Sequence, residues 1–172
     1  MTAFAVRPAR PEDVPTITAI YQHYVLTHTA TFEVDAPDSA EMASRMQRLV
    51  SAGLPYVVAQ QGEHVIGYSY AGPYRTRAAY RHTVENSVYL HPDHTGRGIG
   101  SRLLDELIRR CTEAGYREMV AIIGDSENTA SMRMHAKAGF THVGTLRRVG
   151  FKFGRWLDTV LMQKQLVVSN EQ

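Results

Sequence analysis

The chain has very little cysteine: Cys111 is the only one among 172 residues. A single cysteine excludes an internal disulfide, and its place on the apolar side of a predicted helix indicates a core residue rather than a nucleophile. The chain also lacks an apolar run of about 20 residues, so no membrane-spanning helix is predicted. The first residues show no apolar stretch followed by a cleavage site, and we therefore expect a cytoplasmic protein.

A strong charge of either sign is also missing. The chain has 19 lysines and arginines against 17 aspartates and glutamates, a formal net charge of +2. The basic residues are scattered rather than striped, which argues against nucleic acid as a partner. With 44% hydrophobic and 21% charged residues, the composition is typical of a globular protein. We expect one domain over residues 1–166 and a C-terminal tail over residues 167–172.

The most informative stretch runs from residue 83 to residue 114, where a β-favouring run, a turn, three glycines and an apolar helical pattern follow one another. Gly96, Gly98 and Gly100 stand directly before the helix. Glycines at this position let the backbone approach a ligand closely, and the helix start adds free N–H groups and a positive dipole end. This combination predicts an anion site, most often one for a phosphate.

The spacing of the glycines distinguishes between phosphate-bearing ligands. A dinucleotide fingerprint needs a glycine at its sixth position, where this chain has Ser101. The ATP-binding loop needs Gly-Lys-Ser/Thr, which the sequence does not contain. Both interpretations are therefore disfavoured, and an acyl-CoA is the third candidate.

Periodicity elsewhere predicts a strand, two helices, three strands, a helix, a strand, a helix and two strands, in that order. The short connection at residues 61–63 predicts a hairpin, and the apolar run at residues 119–123 predicts a fully buried, parallel strand. The expected architecture is an α/β fold with α+β type layers, in which a mixed sheet of six or seven strands carries helices on both faces. The predicted strands span residues 4–7, 55–60, 64–72, 83–90, 119–123, 141–148 and 156–166.

The glycine loop, TGRGIG at residues 95–100, resembles the cofactor motif Gln/Arg-x-x-Gly-x-Gly/Ala of the GNAT superfamily of acyl-CoA-dependent N-acetyltransferases, with Thr95 at the first position. The segments TVENSVY, RMHAKAGF and GFKFGRWLD resemble stretches of the phosphinothricin and methionine-sulfoximine acetyltransferases of that superfamily. The resemblance covers nearly the whole chain. It implies the GNAT fold, acetyl-CoA as cosubstrate, and acetylation of the free α-amine of a small amino acid or analogue.

The resemblance also implies how the cosubstrate is held. Backbone N–H groups of the loop would bind the pyrophosphate, and the end of the preceding strand would pair with the pantetheine arm, one amide stabilising the oxyanion. Asn128, a predicted helix N-cap, would contact the same arm. The alternative is a tight turn that merely uses glycine. The assigned residues are Val88, Tyr89, Leu90, Gly96, Arg97, Gly98, Ile99, Gly100, Ser101 and Asn128.

Two residues are assigned to proton transfer. Glu85 lies in a strand suited to burial, where a raised pKa would let it accept a proton from the incoming ammonium. The alternative is a glutamate that faces solvent or pairs with an arginine such as Arg81. His135 stands where the superfamily usually has a tyrosine that protonates the thiolate. It would donate a proton or hold a water, or serve only as a structural histidine.

The acceptor site is expected to recognise a carboxylate. Arg75 is the candidate for a bidentate contact, with Arg77 and Arg81 as rivals. The walls are assigned to Phe32, Tyr74, Thr76 and Lys152. A homodimer is expected from the family alone.

Two histidines and the arginine-rich segment bear on other ligands and functions. His91 and His94 have no third ligand nearby in sequence, so we expect no metal. The alternatives to an amino-acid acetyltransferase are an enzyme for another amine, a polyamine or a protein N-terminus, and a non-catalytic acyl-CoA-binding sensor. A polyamine site should be acidic, whereas the predicted acceptor site is basic, with Arg75, Arg77 and Arg81.

Overall fold

The computed structural model describes residues 3–167, so that the predicted tail lies outside the described residues except for Val167. Across this range the chain forms seven strands and four α-helices in the predicted order. The elements are β1 (Ala5–Pro8), α1 (Val14–Thr27), α2 (Ser39–Ser51), β2 (Tyr56–Gln61), β3 (His64–Pro73), β4 (Thr83–Leu90), α3 (Ile99–Glu113), β5 (Glu118–Gly124), α4 (Thr129–Lys137), β6 (Thr141–Lys152) and β7 (Arg155–Gln165).

The strands form one mixed sheet in the order β1-β2-β3-β4-β5-β7-β6. The predicted hairpin of β2 and β3 is confirmed, and the β4–β5 pair is parallel, as the intervening helix requires. The remaining neighbours pair antiparallel. The predicted mixed sheet is therefore confirmed.

Helices cover both faces of the sheet. The apolar sides of α1 and α2 pack with Tyr56, Val58 and Tyr68. On the opposite face, α3 packs with Ala71, Val84 and β5. Cys111 is fully buried there, and burial raises the pKa of its thiol to about 12, so the prediction of a core residue is confirmed.

Two of the helices begin with a side-chain cap, one of them at Asn128 as predicted, and α1 does not. Asp38 accepts a hydrogen bond from the Glu41 N–H at 2.8 Å, and Asn128 accepts one from the Ser131 N–H at 3.2 Å. Asp13 lies at the N-cap position of α1, but its carboxylate accepts hydrogen bonds from Arg7 and from the Arg10 N–H instead. The ion pair with Arg7 thus takes the place of a side-chain cap at the start of α1.

Two predicted strands differ from the structure. The prediction that residues 119–123 are fully buried is wrong, because Val120 and Ile122 are only half-buried; one side of β5 borders a cleft. The break predicted at Arg148 is an irregularity within a longer β6, where Arg148 has a positive φ of 54°. The hairpin turns at residues 153 and 154, both with positive φ, which is the two-residue turn that suits strand twist.

One feature of the sheet creates the space for a site. β4 pairs with β5 only through residues 83–85, opposite residues 118–120. Beyond that point β5 continues to pair with β7 as far as Gly124, whereas the end of β4 pairs only with β3. The two parallel strands therefore separate immediately after Glu85.

Candidate functional site

The cleft between the separated strands has a volume of about 370 Å³. Its walls come from the end of β4, the glycine loop, β5 and the first turns of α3 and α4. Predicted cosubstrate residues that line it are Val88, Tyr89, Leu90, Gly96, Gly98, Gly100, Ser101 and Asn128, together with His135. The arrangement brings the predicted phosphate loop and the predicted acyl-arm strand to one cavity.

The glycine loop has the conformation that an anion site requires. Gly96 and Gly98 have φ values of 72° and 78°, which side chains with a Cβ rarely adopt. Gly98 is the N-cap of α3 and offers no side-chain cap, so the first N–H groups of the helix stay open to a ligand. A Cβ at Gly100 would lie 3.0 Å from Met134 Sδ, and glycine thus keeps α3 close to α4.

The free edge of β4 presents backbone donors to the cleft. The Thr83 carbonyl accepts from Tyr74 N and the His91 N–H donates to Ile66, so the backbone groups of odd-numbered residues face β3. Because these groups alternate along a strand, those of Val88 and Leu90 face the cleft. The Leu90 carbonyl accepts a hydrogen bond of 2.8 Å from the Tyr24 hydroxyl. The Val88 and Leu90 amides are therefore the candidate partners for an acyl arm.

Glu85 lies where β4 and β5 part, opposite Gly72 on one side and Val120 on the other. Its side chain shares a face with Tyr89, on the α1/α2 side of the sheet, by the alternation of the strand. Burial raises the pKa of the Glu85 carboxyl, and the positive charge of Arg75 partly opposes that shift. This is the environment of a carboxylate that takes up a proton more readily than an exposed one.

His135 approaches from the opposite face and is 4% exposed. Its Nε2 is 2.9 Å from Asn86 Oδ1, and its Nδ1 is 2.8 Å from the Ser131 carbonyl oxygen. Burial lowers the pKa of His135, so the neutral ring prevails at neutral pH. The Asn86 amide donates to the Val120 carbonyl at 3.3 Å, which turns Oδ1 toward the ring. A neutral ring can donate to only one of its two acceptors, whereas a protonated ring satisfies both.

The arginine-rich segment places Arg75 nearest to this centre. Arg75 stacks 4.3 Å above the ring of Tyr74, donates to the Tyr74 carbonyl at 2.9 Å, and influences the pKa of Glu85. Thr76 and Arg77 are exposed on the same loop, and Arg81 donates to the Ala78 carbonyl at 3.3 Å. The geometry therefore brings Arg75 toward Glu85.

The β6–β7 hairpin contributes a buried lysine with contacts that the sequence did not predict. Lys152 is 4% exposed, and its ammonium group donates to the carbonyl oxygens of His28 and Thr31, both at 2.8 Å. Phe32, the next residue of that loop, packs where Gly124 and Gly150 leave room for its ring. The direct substrate contacts predicted for Lys152 and Phe32 stay predictions, but two donors of the lysine are used by the loop.

Some predicted residues do not line the cleft with their side chains. Ile99 is 2% exposed and packs with Leu103 in the core, and Arg97 points to solvent. Sequence reasoning missed Asn86 and Ser131, which hold His135. The proximity of Asn86 and His135 depends on how α4 lies against β4, which no local pattern records. Ser131 lies four residues before His135 in α4, and that spacing was the signal available for it.

Within residues 3–167 no group of three or more His, Cys, Asp and Glu side chains is arranged to hold a metal ion. The rings of His91 and His94 contact each other edge-to-face, with centroids 5.6 Å apart. In the same range no helix has the length and apolarity needed to cross a bilayer.

Comparison with known proteins agrees with this geometry. Residues 17–140 match the family described as Acetyltransferase (GNAT) family. A phosphinothricin N-acetyltransferase of Alcaligenes faecalis is 52% identical over 164 residues, 95% of this chain and 83% of that protein. An L-methionine sulfoximine/L-methionine sulfone acetyltransferase of Salmonella typhimurium is 40% identical over 161 residues, 94% of each chain.

A solved structure has the same fold. It is a GNAT superfamily phosphinothricin acetyltransferase from Sinorhizobium meliloti in complex with AcCoA, and it superposes with a TM-score of 0.93 at 46% identity. The superposition covers 96% of this chain and 89% of the other. The family match, the relatives and the shared fold together identify this chain as a member of the GNAT family of acetyltransferases.

Proposed function

We propose that this enzyme transfers the acetyl group of acetyl-CoA to the free α-amine of a small amino acid or analogue, of the phosphinothricin, methionine sulfoximine or methionine sulfone type. The observation that carries the proposal is the separation of β4 from β5 directly after Glu85. It opens a cleft with backbone donors next to a half-buried carboxylate whose pKa is raised by burial. The substrates named for the relatives agree with it.

The cleft fits acetyl-CoA on its own geometry. The open N–H groups around Gly96 and Gly98 suit the pyrophosphate. The Val88 and Leu90 amides suit the pantetheine arm and the thioester carbonyl. Asn128, which lines the cleft at the start of α4, is assigned to the same arm. Bound there, acetyl-CoA supplies the activated acyl group.

Glu85 is assigned as the general base. An amino acid arrives as an ammonium ion and must lose a proton before its nitrogen can attack the thioester carbonyl. A half-buried carboxylate with a raised pKa accepts that proton directly or through water. Ionised Glu85 is the active form, so the rate should rise with pH as this carboxyl loses its proton.

The other protein groups handle the charges that follow. As the amine nitrogen bonds to the carbonyl carbon, negative charge grows on the oxygen, and a β4 amide can donate to it. When the carbon–sulfur bond breaks, the thiolate needs a proton. His135 lies in the wall of the cleft with Nε2 against Asn86 and Nδ1 against Ser131, and it is assigned to supply that proton, directly or through a held water.

Arg75 is assigned to the substrate carboxylate. Its guanidinium is exposed, stacked on Tyr74 and close enough to affect Glu85. A carboxylate held there would present its α-amine to the side of β4 that carries Glu85. We also assign Thr76, Arg77 and Phe32 as substrate contacts.

We propose a homodimer on the basis of the β6–β7 hairpin. β6 is the last strand of the sheet, and six large apolar side chains on β6, β7 and their turn are at least half exposed. An edge strand with such a surface usually has a partner. These residues, called here the hairpin patch, are Val143, Leu146, Val149, Phe151, Phe153 and Trp156. A cytoplasmic location and a single domain over residues 1–166 stay predictions.

An acceptor panel tests the proposed function. The protein is incubated with acetyl-CoA and, separately, phosphinothricin, methionine sulfoximine, methionine sulfone, common amino acids, spermidine and an N-terminal peptide, and free thiol is followed. We expect turnover with the first three. Turnover confined to spermidine or the peptide would favour the other-amine alternative. Binding of acetyl-CoA without turnover of any acceptor would favour the sensor.

A further inference from the structure

The connection between α1 and α2, residues 28–33, borders the candidate acceptor side. Ala30 lines the cleft, and the Thr31 Oγ1 atom is 2.9 Å from the Tyr21 hydroxyl oxygen. Glu33 pairs with Arg45 of α2 at 2.8 Å. The loop and Glu85 share Tyr70 as a neighbour, because burial first and then the charges of Glu85 and Glu33 raise the pKa of that tyrosine. The conformation of the loop therefore affects the space beside Glu85.

The loop is held mainly by residues from the C-terminal third of the chain. Thr29 donates to Asp125 Oδ2 at 2.7 Å, and the same carboxylate oxygen is 2.9 Å from the Arg155 guanidinium. Asp125 has a positive φ of 73°, an uncommon conformation for a residue with a side chain, and it lies directly after β5. The ring of Phe32 fills the space left by two glycines of β5 and β6.

Lys152 is the central contact between the hairpin and this loop. Its ammonium group is buried, and its hydrogen-bond partners are two backbone carbonyls of the loop, while Glu33 attracts it from farther away. A buried cation is costly unless its N–H groups are satisfied. Since the carbonyls of His28 and Thr31 satisfy it only in this loop conformation, the lysine selects that conformation.

We propose that Lys152 is a positioning residue for the acceptor site, acting through the 28–33 loop. This inference rests on the proposed function, because the quantity it controls is the affinity for the amino acid. Of this loop only Ala30 lines the acetyl-CoA cleft, and among the described residues the glycine loop forms no hydrogen bond with these anchors. Acetyl-CoA binding should therefore depend far less on Lys152 than acceptor binding does. The effect is therefore expected in the KM for the amino acid and hardly at all in kcat.

The test uses the full-length protein with Lys152→Met, which keeps the length of the stem and removes the donors. With methionine sulfone, KM should rise about tenfold, the equivalent of one lost hydrogen bond to a charged group. kcat and the Kd for acetyl-CoA should stay close to the wild-type values. Lys137→Met, on the exposed last turn of α4, is the matched control and should change neither constant.

A second variant covers the case in which Lys152→Met does not fold. A methyl group at Gly150 would overlap the ring of Phe32, so Gly150→Ala displaces the same loop without exposing a charge. It should also raise the KM for the amino acid. An unchanged KM in a folded Lys152→Met or Gly150→Ala protein would overturn the proposal, as would an equal loss of affinity for acetyl-CoA.

Amide hydrogen exchange separates this inference from the proposed function. Residues 28–33 should exchange faster in Lys152→Met than in the wild type, whether or not any amino acid is a substrate. If the wild type acetylates no amino acid, the proposed function fails, and the exchange result alone reports whether Lys152 holds the loop. Unchanged exchange there would overturn the anchoring itself.

Discussion

Glu85 occupies the last position at which β4 and β5 still pair, and its chemistry follows from that place. The neighbouring strands remove water from the carboxylate, while the start of the cleft leaves one side open. The sequence predicted a base at this position from its motif. It did not predict Asn86 as a partner of His135, because that contact joins residues 49 positions apart. Ser131 lies four residues before His135 on the same helix, a local spacing that was available in the sequence and was missed.

Glu85→Gln tests the base directly. kcat/KM should fall about 10²-fold or more, and the rise of the rate with pH assigned to this carboxyl should disappear. Steady-state kinetics from acidic to neutral pH measure both. Glu63→Gln, in the exposed turn between β2 and β3, is the control and should behave like the wild type. An unchanged rate in Glu85→Gln would remove this residue from the mechanism.

The same substitution has an expected effect on stability. The pKa of Glu85 is raised in the folded state, so the ionised carboxylate disfavours folding above its unfolded-state pKa, and this cost grows until the pH passes the folded-state pKa. A neutral glutamine removes that cost. Tm at neutral pH should therefore stay equal or rise in Glu85→Gln while activity falls. A marked drop in Tm would instead indicate a structural role for the carboxylate.

At the scale of elements, the order of strands and helices follows from periodicity and turn residues, and the sequence predicted it. The length of β6 was not predictable in the same way, because Arg148 and Gly150 resemble a strand end and only pairing with β7 keeps the strand continuous. The cleft likewise has a non-local cause. β5 follows β7 away from β4, and no residue of β4 records that divergence.

The glycine loop gives a matched pair of substitutions. Gly98 and Gly53 have the same φ of 78°, and neither has an atom within 4 Å of a built Cβ. Alanine at either position should cost about 1 kcal/mol of stability through backbone strain. Only Gly98→Ala should also weaken acetyl-CoA binding, since only that glycine precedes α3. Equal affinities in a calorimetric titration of both variants would contradict the assigned loop.

For the molecule as a whole, the hairpin patch is the surface whose exposure most requires an explanation. The rings of Phe151 and Trp156 contact each other with centroids 5.1 Å apart and remain more than half exposed. The same hairpin carries Lys152, which reaches the 28–33 loop. The β6–β7 hairpin thus links the proposed dimer surface to the acceptor side of the site.

Trp156→Glu should convert a homodimer into a monomer, because a charge in the centre of an apolar interface is strongly unfavourable. Sedimentation velocity measures the state, and circular dichroism checks the fold. Leu26→Glu, at another exposed apolar residue on α1, is the control and should leave the dimer intact. A wild-type protein that sediments as a monomer would contradict the proposed dimer.

The central claim is that the amine beside Glu85 is the α-amine of a small amino acid. The most direct measurement is the product of the wild-type enzyme with acetyl-CoA and methionine sulfone, identified by mass spectrometry and by the NMR shift of the α-proton. We expect the N-acetyl amino acid, formed together with an equal amount of free CoA. Intact methionine sulfone, with acetyl-CoA bound but unconsumed, would contradict it.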